Sequence, residues 1–258
     1  MPSGRGSCAN LARYNLLAPL IDARRIYPRI HEDGTMDTSA ARRTILARIR
    51  SAQGRHGAPT DAERAAAQEY VERHPAGPRP PLPQTRDELI ARFTLEAERL
   101  STTVAEVDAL AHAPAETARY LRSLNLPVEV VAWPALGDLP WAEAGIAAAL
   151  RKPADADLVG ITGCFCATAE TGSLVLLSGA DTPASGALLP QTHIAIVPAS
   201  RIVAAHEDAF ALMRAERGEL PRAVNFVSGP SRTGDIEQTI VLGAHGPYRV
   251  HVIVVRGA

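Results

Sequence analysis

The amino-acid sequence predicts an α/β fold over residues 101–258. Short apolar runs such as "DLVGIT" (157–162) and "YRVHVIVV" (248–255) alternate with segments of helical periodicity. Because these runs are continuously apolar, the sheet is expected to be buried on both faces, which is typical of parallel sheets covered by helices. The strands over 171–178 and 193–198 have no helix between them, so part of the sheet is expected to be antiparallel.

The elements of this region follow one another as short strands separated by helices or loops. Valine, isoleucine and leucine dominate the strand segments, whereas the segments between them carry apolar residues at helical spacing. Strands are predicted over 102–107, 127–133, 157–162, 172–178, 193–199, 223–229 and 248–255. Helices are predicted over 113–124, 141–150, 206–218 and 234–243.

The first hundred residues have a helical pattern interrupted by proline. Thr38 or Ser39 can cap a first helix, and further amphipathic helices are predicted over 60–73 and 85–100. The prolines of 74–83 favour an extended strap between them. The predicted parts of the chain are a poorly ordered extension over 1–35, with an ordered arm as the alternative, a helical segment over 36–100 that packs on the main domain, and the α/β domain over 101–258.

Composition excludes several classes of function. The 258 residues carry a formal net charge of −1 and only 4% aromatic residues, so neither a basic footprint nor a stacking platform for nucleic acid is present. Three cysteines do not make a disulfide framework and fit a reducing compartment. No apolar stretch approaches the ~20 residues needed to span a bilayer. We therefore expect a cytoplasmic protein without nucleic-acid or membrane partners.

Three loops are predicted beyond the carboxyl ends of strands, where open α/β sheets bind ligands. They are "ITGCFCATAETGSLVL" (161–176), "SGPSRTGDIE" (228–237) and "GAHGPYRV" (243–250). In the second loop, Ser231 or Thr233 can cap the following helix, whose free amides and dipole would suit a carboxylate or phosphate. A helix cap without any ligand is the competing interpretation of the same residues.

Several titratable side chains lie in or beside these loops. Asp235 and Glu237 lie near the predicted helix start, where capping and solvated charge compete with acid–base work. His245 lies between small residues, so a role as proton shuttle or ligand competes with a structural hydrogen bond. His193 begins a strand and is similarly ambiguous, whereas His251 lies inside an apolar strand and is expected to be a core residue.

The two cysteines of the first loop do not make a metal site by themselves. Cys164 and Cys166 are spaced i, i+2, so in an extended segment both side chains leave the same face. A zinc or iron–sulfur site needs about four such ligands, and the remaining cysteine is Cys8 in the extension. We expect no metal on this chain and buried thiols that fill space, with a redox dithiol as the alternative.

Glu170 is the more informative residue of the first loop. It precedes Thr171, Gly172 and an apolar strand, so a Gly-containing turn would hold a carboxylate at a strand edge. Partial burial could make it a base or nucleophile, while bracing the loop through an arginine or backbone amides is the competing role. We expect the loops around Glu170 and Ser231 to face each other across the strand ends.

Taken together, these segments resemble a known family. "VGITGCFCATAETGSLVLLS" (159–178), "LLPQTHIAIV" (188–197) and "SGPSRTGDIEQTIVLGAHGPYRVHVIVV" (228–255) are similar, in this order, to the LUD domain family of lactate utilization proteins. The resemblance implies a three-layer Rossmann-like α/β fold similar to the ribose-phosphate isomerase, glucosamine-phosphate deaminase and CoA-transferase group, with additional N-terminal helices.

The resemblance also implies a role in oxidising L-lactate to pyruvate. In that role the chain acts with iron–sulfur partner proteins that carry the clusters, so no cofactor is expected on this chain, and a small carboxylate is its expected substrate. A stand-alone CoA-transferase-like or sugar-phosphate-isomerase-like enzyme that uses Glu170 is one alternative. A ligand-binding module without turnover is another.

The residues that match the family's motifs form the candidate site. Candidate catalytic residues are Glu170, Asp235 and His245. The residues expected to bind substrate or an anion are Thr171, Gly172, His193, Ser228, Gly229, Ser231, Thr233 and Glu237. The sequence departs from the family's pattern at Cys164, Cys166, Ser185, Gly186 and Gly234.

Overall fold

The computed structural model describes residues 37–55, 57–235 and 238–258. The predicted extension over 1–35 therefore lies outside the described residues. The chain divides into two compact units, Met1–Pro75 and Ala76–Ala258. None of the helices in the described part of the chain combines the length and apolar composition that crossing a lipid bilayer requires.

The described residues of the first unit form two helices, α1 (Ser39–Ala52) and α2 (Asp61–Arg73). The α2 helix begins with a reciprocal cap: the Glu63 amide donates to Thr60 Oγ1 at 3.2 Å, and the Thr60 amide donates to the Glu63 carboxylate at 2.8 Å. Thr38 precedes α1 but makes no side-chain cap bond. The Ser39 amide donates to Asp37 instead, at 2.9 Å, so the predicted cap of this helix is wrong.

The second unit is built on a six-stranded parallel sheet. Its strands are β1 (Thr103–Val107), β2 (Glu129–Ala132), β3 (Ala147–Leu150), β4 (Val159–Thr162), β7 (Thr192–Pro198) and β12 (Arg249–Val255). They are ordered β1-β12-β7-β4-β2-β3, and every neighbouring pair is parallel. The prediction of a buried parallel sheet from continuous apolar runs is confirmed.

The prediction that part of the same sheet is antiparallel is wrong, because the strands at 173–177 and 192–198 belong to different sheets; antiparallel pairing occurs in the second sheet. This sheet contains β5 (Cys166–Thr168), β6 (Ser173–Leu177), β8 (Ile202–Val203) and β9 (Val224–Val227), in the order β8-β5-β6-β9. The β6 strand is antiparallel to both of its neighbours. A short hairpin, β10 (Arg232–Thr233) with β11 (Val241–Leu242), follows β9 in the chain.

Three helices cover these sheets. On one face of the six-stranded sheet lies α4 (Ala113–Ser123), whose Leu121 packs against Ile194 and Ile253. On the other face, α3 (Arg86–Arg99) and the four-stranded sheet share a core that includes Phe93 and Leu174. The outer face of the four-stranded sheet is covered by α5 (His206–Arg217). The result is a layered, Rossmann-like α/β arrangement.

Two predicted helices are absent. Residues 141–150 form a turn at Gly145, where φ is +73°, followed by β3, whose pairing with β2 overrides the helix propensity of its alanines. Within 234–243, the described residues form turns and β11. Gln238 and Gly243 there have φ of +56° and +78°, which no helix interior accommodates.

The position of Phe93 makes α3 essential to the core. Its side chain is 0% exposed, between the two sheets. We expect Phe93→Ala to lower the free energy of unfolding by about 3–5 kcal/mol, because it removes an aromatic ring and leaves a cavity. Denaturant unfolding followed by circular dichroism measures this loss. Leu95→Ala is the matched control, since Leu95 is 45% exposed on the same helix; an equal loss in both variants would contradict the packing role of α3.

Candidate functional site

The turn that carries Glu170 is held by backbone hydrogen bonds on one side. We call residues 169–172 the AETG turn; it connects β5 to β6. The Ala169 amide donates to the Val203 carbonyl at 2.8 Å, and the Glu170 amide donates to the Ala204 carbonyl at 2.9 Å. These bonds fix the turn beside the start of α5, and Glu170 is half-buried there.

Gly172 brings the same turn against the end of α3. Its φ is +61°, a conformation that L side chains rarely adopt. A Cβ at this position would lie 2.2 Å from the Ala97 nitrogen, inside the backbone of the helix. Only glycine allows the AETG turn to approach α3 this closely.

A chain of hydroxyl groups runs from the AETG turn to the loop after β9. Thr171 Oγ1 lies 2.9 Å from Thr168 Oγ1 and 2.8 Å from Ser173 Oγ, and Ser173 Oγ lies 2.6 Å from Ser228 Oγ. Thr168 and Ser173 are buried, whereas Ser228 is exposed. Because β6 and β9 are antiparallel, the start of one meets the end of the other, and the two loops expected to face each other come into contact here.

The loop after β9 also rests on the end of α3. Gly229 has a φ of +82°, and a Cβ there would lie 2.3 Å from the Leu100 carbonyl oxygen. Arg232 donates through Nη2 to the same carbonyl at 3.0 Å and to Ser101 Oγ at 2.7 Å. A cation at the C-terminal end of a helix is electrostatically favourable. Arg232 is therefore engaged in capping α3.

The anion site predicted over 228–237 depended on the start of a helix, and the prediction of that helix is wrong. No helix follows the loop among the described residues, so its amides and dipole are not available to an anion. Thr233 is buried and its hydroxyl accepts from the Asp235 amide at 3.2 Å, which closes a turn within the hairpin. The Ser231 amide donates to the Pro247 carbonyl at 2.9 Å, which ties this loop to the next one.

The loop over 243–250 lies at the opposite end of the strands from that predicted. It precedes β12, and the Tyr248 amide donates to the Gln191 carbonyl just before β7 begins. The loop therefore lies at the amino edge of the parallel sheet. Asp235 and His245 are both exposed on this side, and Glu237 lies outside the described residues.

His193 is part of the sheet core. It is 0% exposed, and its Nε2 lies 2.8 Å from Thr162 Oγ1 on the neighbouring strand β4. Burial lowers the pKa of its imidazole to about 4, so the ring is neutral near pH 7. His251, on β12, is 2% exposed, and burial lowers its pKa to about 4 as well, against the opposing charge of Glu116. His193 therefore lies inside the parallel sheet, where its register partner on β12 is Val250.

Arg79 joins the surroundings of Glu170, although sequence reasoning missed it. Its guanidinium donates to Asp208 Oδ1 at 2.9 Å, while the other oxygen of Asp208 accepts from the Ala205 amide at the start of α5. The hydrogen bond and charge of Asp208, with the charges of Glu207 and Glu170, raise the pKa of Arg79. Glu170 therefore lies within electrostatic range of a cation. The sequence feature that could have identified Arg79 is that it is a single arginine among the prolines of the strap over 74–83.

The two thiols near the AETG turn lie in the core. Cys166 is 0% exposed, and burial raises its pKa to about 12. Burial also raises the pKa of Cys164 far above its ordinary value. Both are therefore protonated near pH 7, which suits packing and not nucleophilic attack. Within residues 37–55, 57–235 and 238–258, no group of three or more His, Cys, Asp or Glu side chains is arranged to hold a metal ion.

The comparison with known proteins fits this fold and these loops. The sequence model of the LUD domain matches residues 82–255, which is well over half of the chain. The chain belongs to the LUD domain family. The match begins just before α3, so the helix that supports both loops is part of the LUD domain.

Named relatives are similar over part of this LUD domain protein. Lactate utilization protein C of Bacillus subtilis (strain 168) is 39% identical over 127 residues, which are 48% of this chain and 53% of that protein. The same-named protein of Bacillus licheniformis is 42% identical over 100 residues, 38% of this chain and 42% of that protein. That of Halalkalibacterium halodurans is 43% identical over 109 residues, 41% of this chain and 47% of that protein. The chain thus spans about half the length of the curated relatives it matches.

A solved structure supports the fold of the LUD domain. The crystal structure of a DUF162 family protein from Deinococcus radiodurans is similar with a TM-score of 0.53 and 26% sequence identity. The similarity covers 67% of this chain and 100% of that chain.

Gly172 gives a direct test of the contact between the AETG turn and α3. We expect Gly172→Ala to lower the free energy of unfolding by about 2–4 kcal/mol, because it adds strain at a positive φ and a clash with helix backbone. Urea denaturation measures the difference. Gly234→Ala is the matched control, since nothing lies within 4 Å of a Cβ there. Equal stability of the two variants would show that the turn does not approach α3 as described.

The buried histidines predict a pH dependence of stability. Between the ordinary pKa of 6.5 and the folded value of about 4, the unfolded chain binds protons on His193 and His251 that the folded protein does not bind. The free energy of unfolding should therefore fall as the pH falls through this window, by up to about 1.4 kcal/mol per pH unit for each histidine.

Urea denaturation at several pH values within the window measures this slope. His251→Gln should make the slope shallower, because it removes one of the two titrating groups. His112→Gln, at an exposed position, serves as the control and should leave it unchanged. A slope that His251→Gln does not alter would contradict the burial of a neutral imidazole at this position.

Proposed function

We propose that this LUD domain protein is a component of an L-lactate utilization system that oxidises lactate to pyruvate. The observation that carries the proposal is its similarity, at about 40% identity, to relatives named lactate utilization protein C. The LUD domain match over residues 82–255 includes the AETG turn and the loop after β9, which the hydroxyl chain joins.

In this proposal the protein acts in the cytoplasm with iron–sulfur partner proteins that carry the clusters. The burial of Cys164 and Cys166 and their raised pKa favour a packing role over cluster ligation, which is why the clusters are assigned to partners. The cluster of charges around Arg79 and Glu170 is the proposed place where this chain handles the carboxylate substrate. Release of Arg79 from Asp208 would free a guanidinium for a carboxylate.

A second candidate is a stand-alone enzyme of the CoA-transferase or sugar-phosphate isomerase type. The observation that favours it is that Glu170 is half-buried at a strand edge, in a turn held by two backbone hydrogen bonds. A carboxylate in such a position suits a nucleophile or base. This candidate includes a fold relationship to the ribose-phosphate isomerase, glucosamine-phosphate deaminase and CoA-transferase group.

Growth on L-lactate tests the proposed function. We expect deletion of the gene to abolish growth on L-lactate as sole carbon source, and the wild-type gene to restore it. Complementation with Glu170→Gln should restore at most about a tenth of the growth rate, since removal of a charged group at a reaction centre typically costs tenfold or more. Glu219→Gln, at an exposed position, is the matched control and should restore growth fully.

The outcomes separate the two candidates. Co-purification with iron–sulfur proteins, and lactate oxidation that needs all components together, would support the first. Turnover of an acyl-CoA or sugar phosphate by the isolated chain, lost in Glu170→Gln, would support the second. Undiminished growth of the deletion strain on L-lactate would overturn the proposed function.

A further inference from the structure

A cavity with both apolar and polar walls lies on the α4 face of the six-stranded sheet. Its volume is about 290 Å³, and it is formed by the end of α4, the amino ends of β1 and β12, and the hairpin. Leu124 and Leu242 contribute apolar walls, and Thr103, Tyr120 and Arg249 contribute polar groups. A cavity in which a few polar groups converge within apolar walls is the usual form of a small-molecule site.

Arg249 supplies an uncompensated positive charge to this cavity. Its guanidinium lies 4.8 Å from the centre of the Tyr248 ring, and it makes no ion pair with any carboxylate of the described residues. Burial raises the pKa of Tyr120, and the hydrogen bond from Thr103 and the charge of Arg249 oppose that rise. The guanidinium and the phenol both line the cavity, so one ligand can contact both.

The C-terminal end of α4 lies at this cavity and carries partial negative charge, so binding an anion there requires a cation. The helix ends at Ser123, and Leu124 lines the cavity, so the negative end of the helix dipole points towards it. Without a cation an anionic ligand would be repelled there. Arg249 cancels this repulsion and offers a planar pair of donors that matches a carboxylate.

Thr103 supplies a hydrogen-bond acceptor of fixed orientation. Its Oγ1 lies 2.8 Å from His251 Nδ1, and the His251 ring stacks on Tyr120 with ring centres 3.8 Å apart. The Glu116 carboxylate lies 3.7 Å from His251 Nε2, which favours the proton on that nitrogen. The one proton of the Thr103 hydroxyl is shared among His251 Nδ1, the Tyr120 hydroxyl and, at 3.5 Å, the Val250 carbonyl, so at least one lone pair of the Thr103 oxygen remains for a ligand that donates a hydrogen bond.

Strand geometry brings these groups to the same place. Thr103 is the register partner of His251, and Arg249 precedes His251 by two residues, so all three side chains leave the same face of the sheet. Two residues of a strand span about 7 Å, a distance that the long arginine side chain covers. A volume of about 290 Å³ is that of about ten water molecules, which is more than a three-carbon acid fills.

We propose that this cavity binds a hydroxy-carboxylate with an apolar side chain of several carbons: Arg249 pairs with its carboxylate, Thr103 accepts from its hydroxyl, and Leu124 and Leu242 contact its apolar chain. The site goes beyond the proposed function, because it is built on the α4 face and not on the AETG turn. Its existence does not depend on a role in lactate utilization.

Isothermal titration calorimetry of the full chain with 2-hydroxy-4-methylpentanoate tests the site. We expect saturable binding with a dissociation constant in the millimolar range, as suits so small a ligand. The neutral amide of the same acid should bind at least about tenfold more weakly, because it loses the charge-assisted pair with Arg249. L-Lactate should also bind more weakly, because it leaves the apolar walls uncovered.

Two variants separate the roles of the polar groups. Arg249→Gln should weaken binding of the hydroxy acid by about ten- to a hundredfold, whereas Arg222→Gln, at an exposed position, should leave it unchanged. Thr103→Val should weaken binding of the hydroxy acid by about two- to tenfold but leave binding of 4-methylpentanoate, which lacks the hydroxyl, unaltered. Circular dichroism of each variant establishes that it is folded.

The comparison of ligands on the unaltered protein stands even where a variant fails to fold. Absence of saturable binding of 2-hydroxy-4-methylpentanoate by the wild-type chain would overturn the proposal. Equal affinity for the acid and its amide, or for the acid by a folded Arg249→Gln variant, would overturn it too. None of these results would bear on growth on L-lactate, so the failure of this proposal is distinguishable from failure of the proposed function.

Discussion

The close approach of two glycines to the end of α3 is the constraint on which the candidate site depends. Gly172 and Gly229 each bring a turn against helix backbone where a Cβ would collide, and both have a positive φ. Arg232 completes the contact by capping the Leu100 carbonyl. Phe93 anchors α3 in the core between the two sheets. The positions of the two turns therefore depend on the packing of this core. The hydroxyl chain from Thr171 to Ser228 is a consequence of this arrangement.

Polar groups inside the sheets are held by matched partners on neighbouring strands. His193 is paired with Thr162, and His251 with Thr103, each at 2.8 Å across the sheet. Buried neutral imidazoles of this kind are tolerated near pH 7 because each retains a hydrogen bond. In acid they lower the free energy of unfolding, because the unfolded chain binds protons that the buried rings do not. They differ in their surroundings. His193 lies wholly in the core. His251 is hydrogen-bonded to Thr103, which lines a cavity at the sheet edge, so His251 can orient a group that contacts a ligand there.

Most of the fold could be predicted from periodicity, and the failures have physical causes. Strands such as β7 and β12 are continuously apolar, and α3, α4 and α5 carry clear helical patterns, so local sequence and tertiary structure agree. The alanines of 147–150 favour a helix locally but pair with β2, because an open sheet edge gains more from another strand. At the end of the segment 234–243, Val241 and Leu242 pair with Thr233 and Arg232 as a short hairpin. That change removed the helix start on which the anion site was based.

The sequence by itself determined the class of fold, the membership of the LUD domain family and the turn that carries Glu170. The class of fold follows from hydrophobic periodicity and the turn from the placement of glycine, which are local properties, whereas the family follows from the resemblance of motifs in a fixed order along the chain. Tertiary structure alone decided which side chains meet: Arg79 with Asp208 near Glu170, Ser173 with Ser228, and Arg249 with Thr103 at one cavity. Contacts between residues far apart in the chain depend on strand order and register, and neither is encoded in the composition or spacing of any single segment.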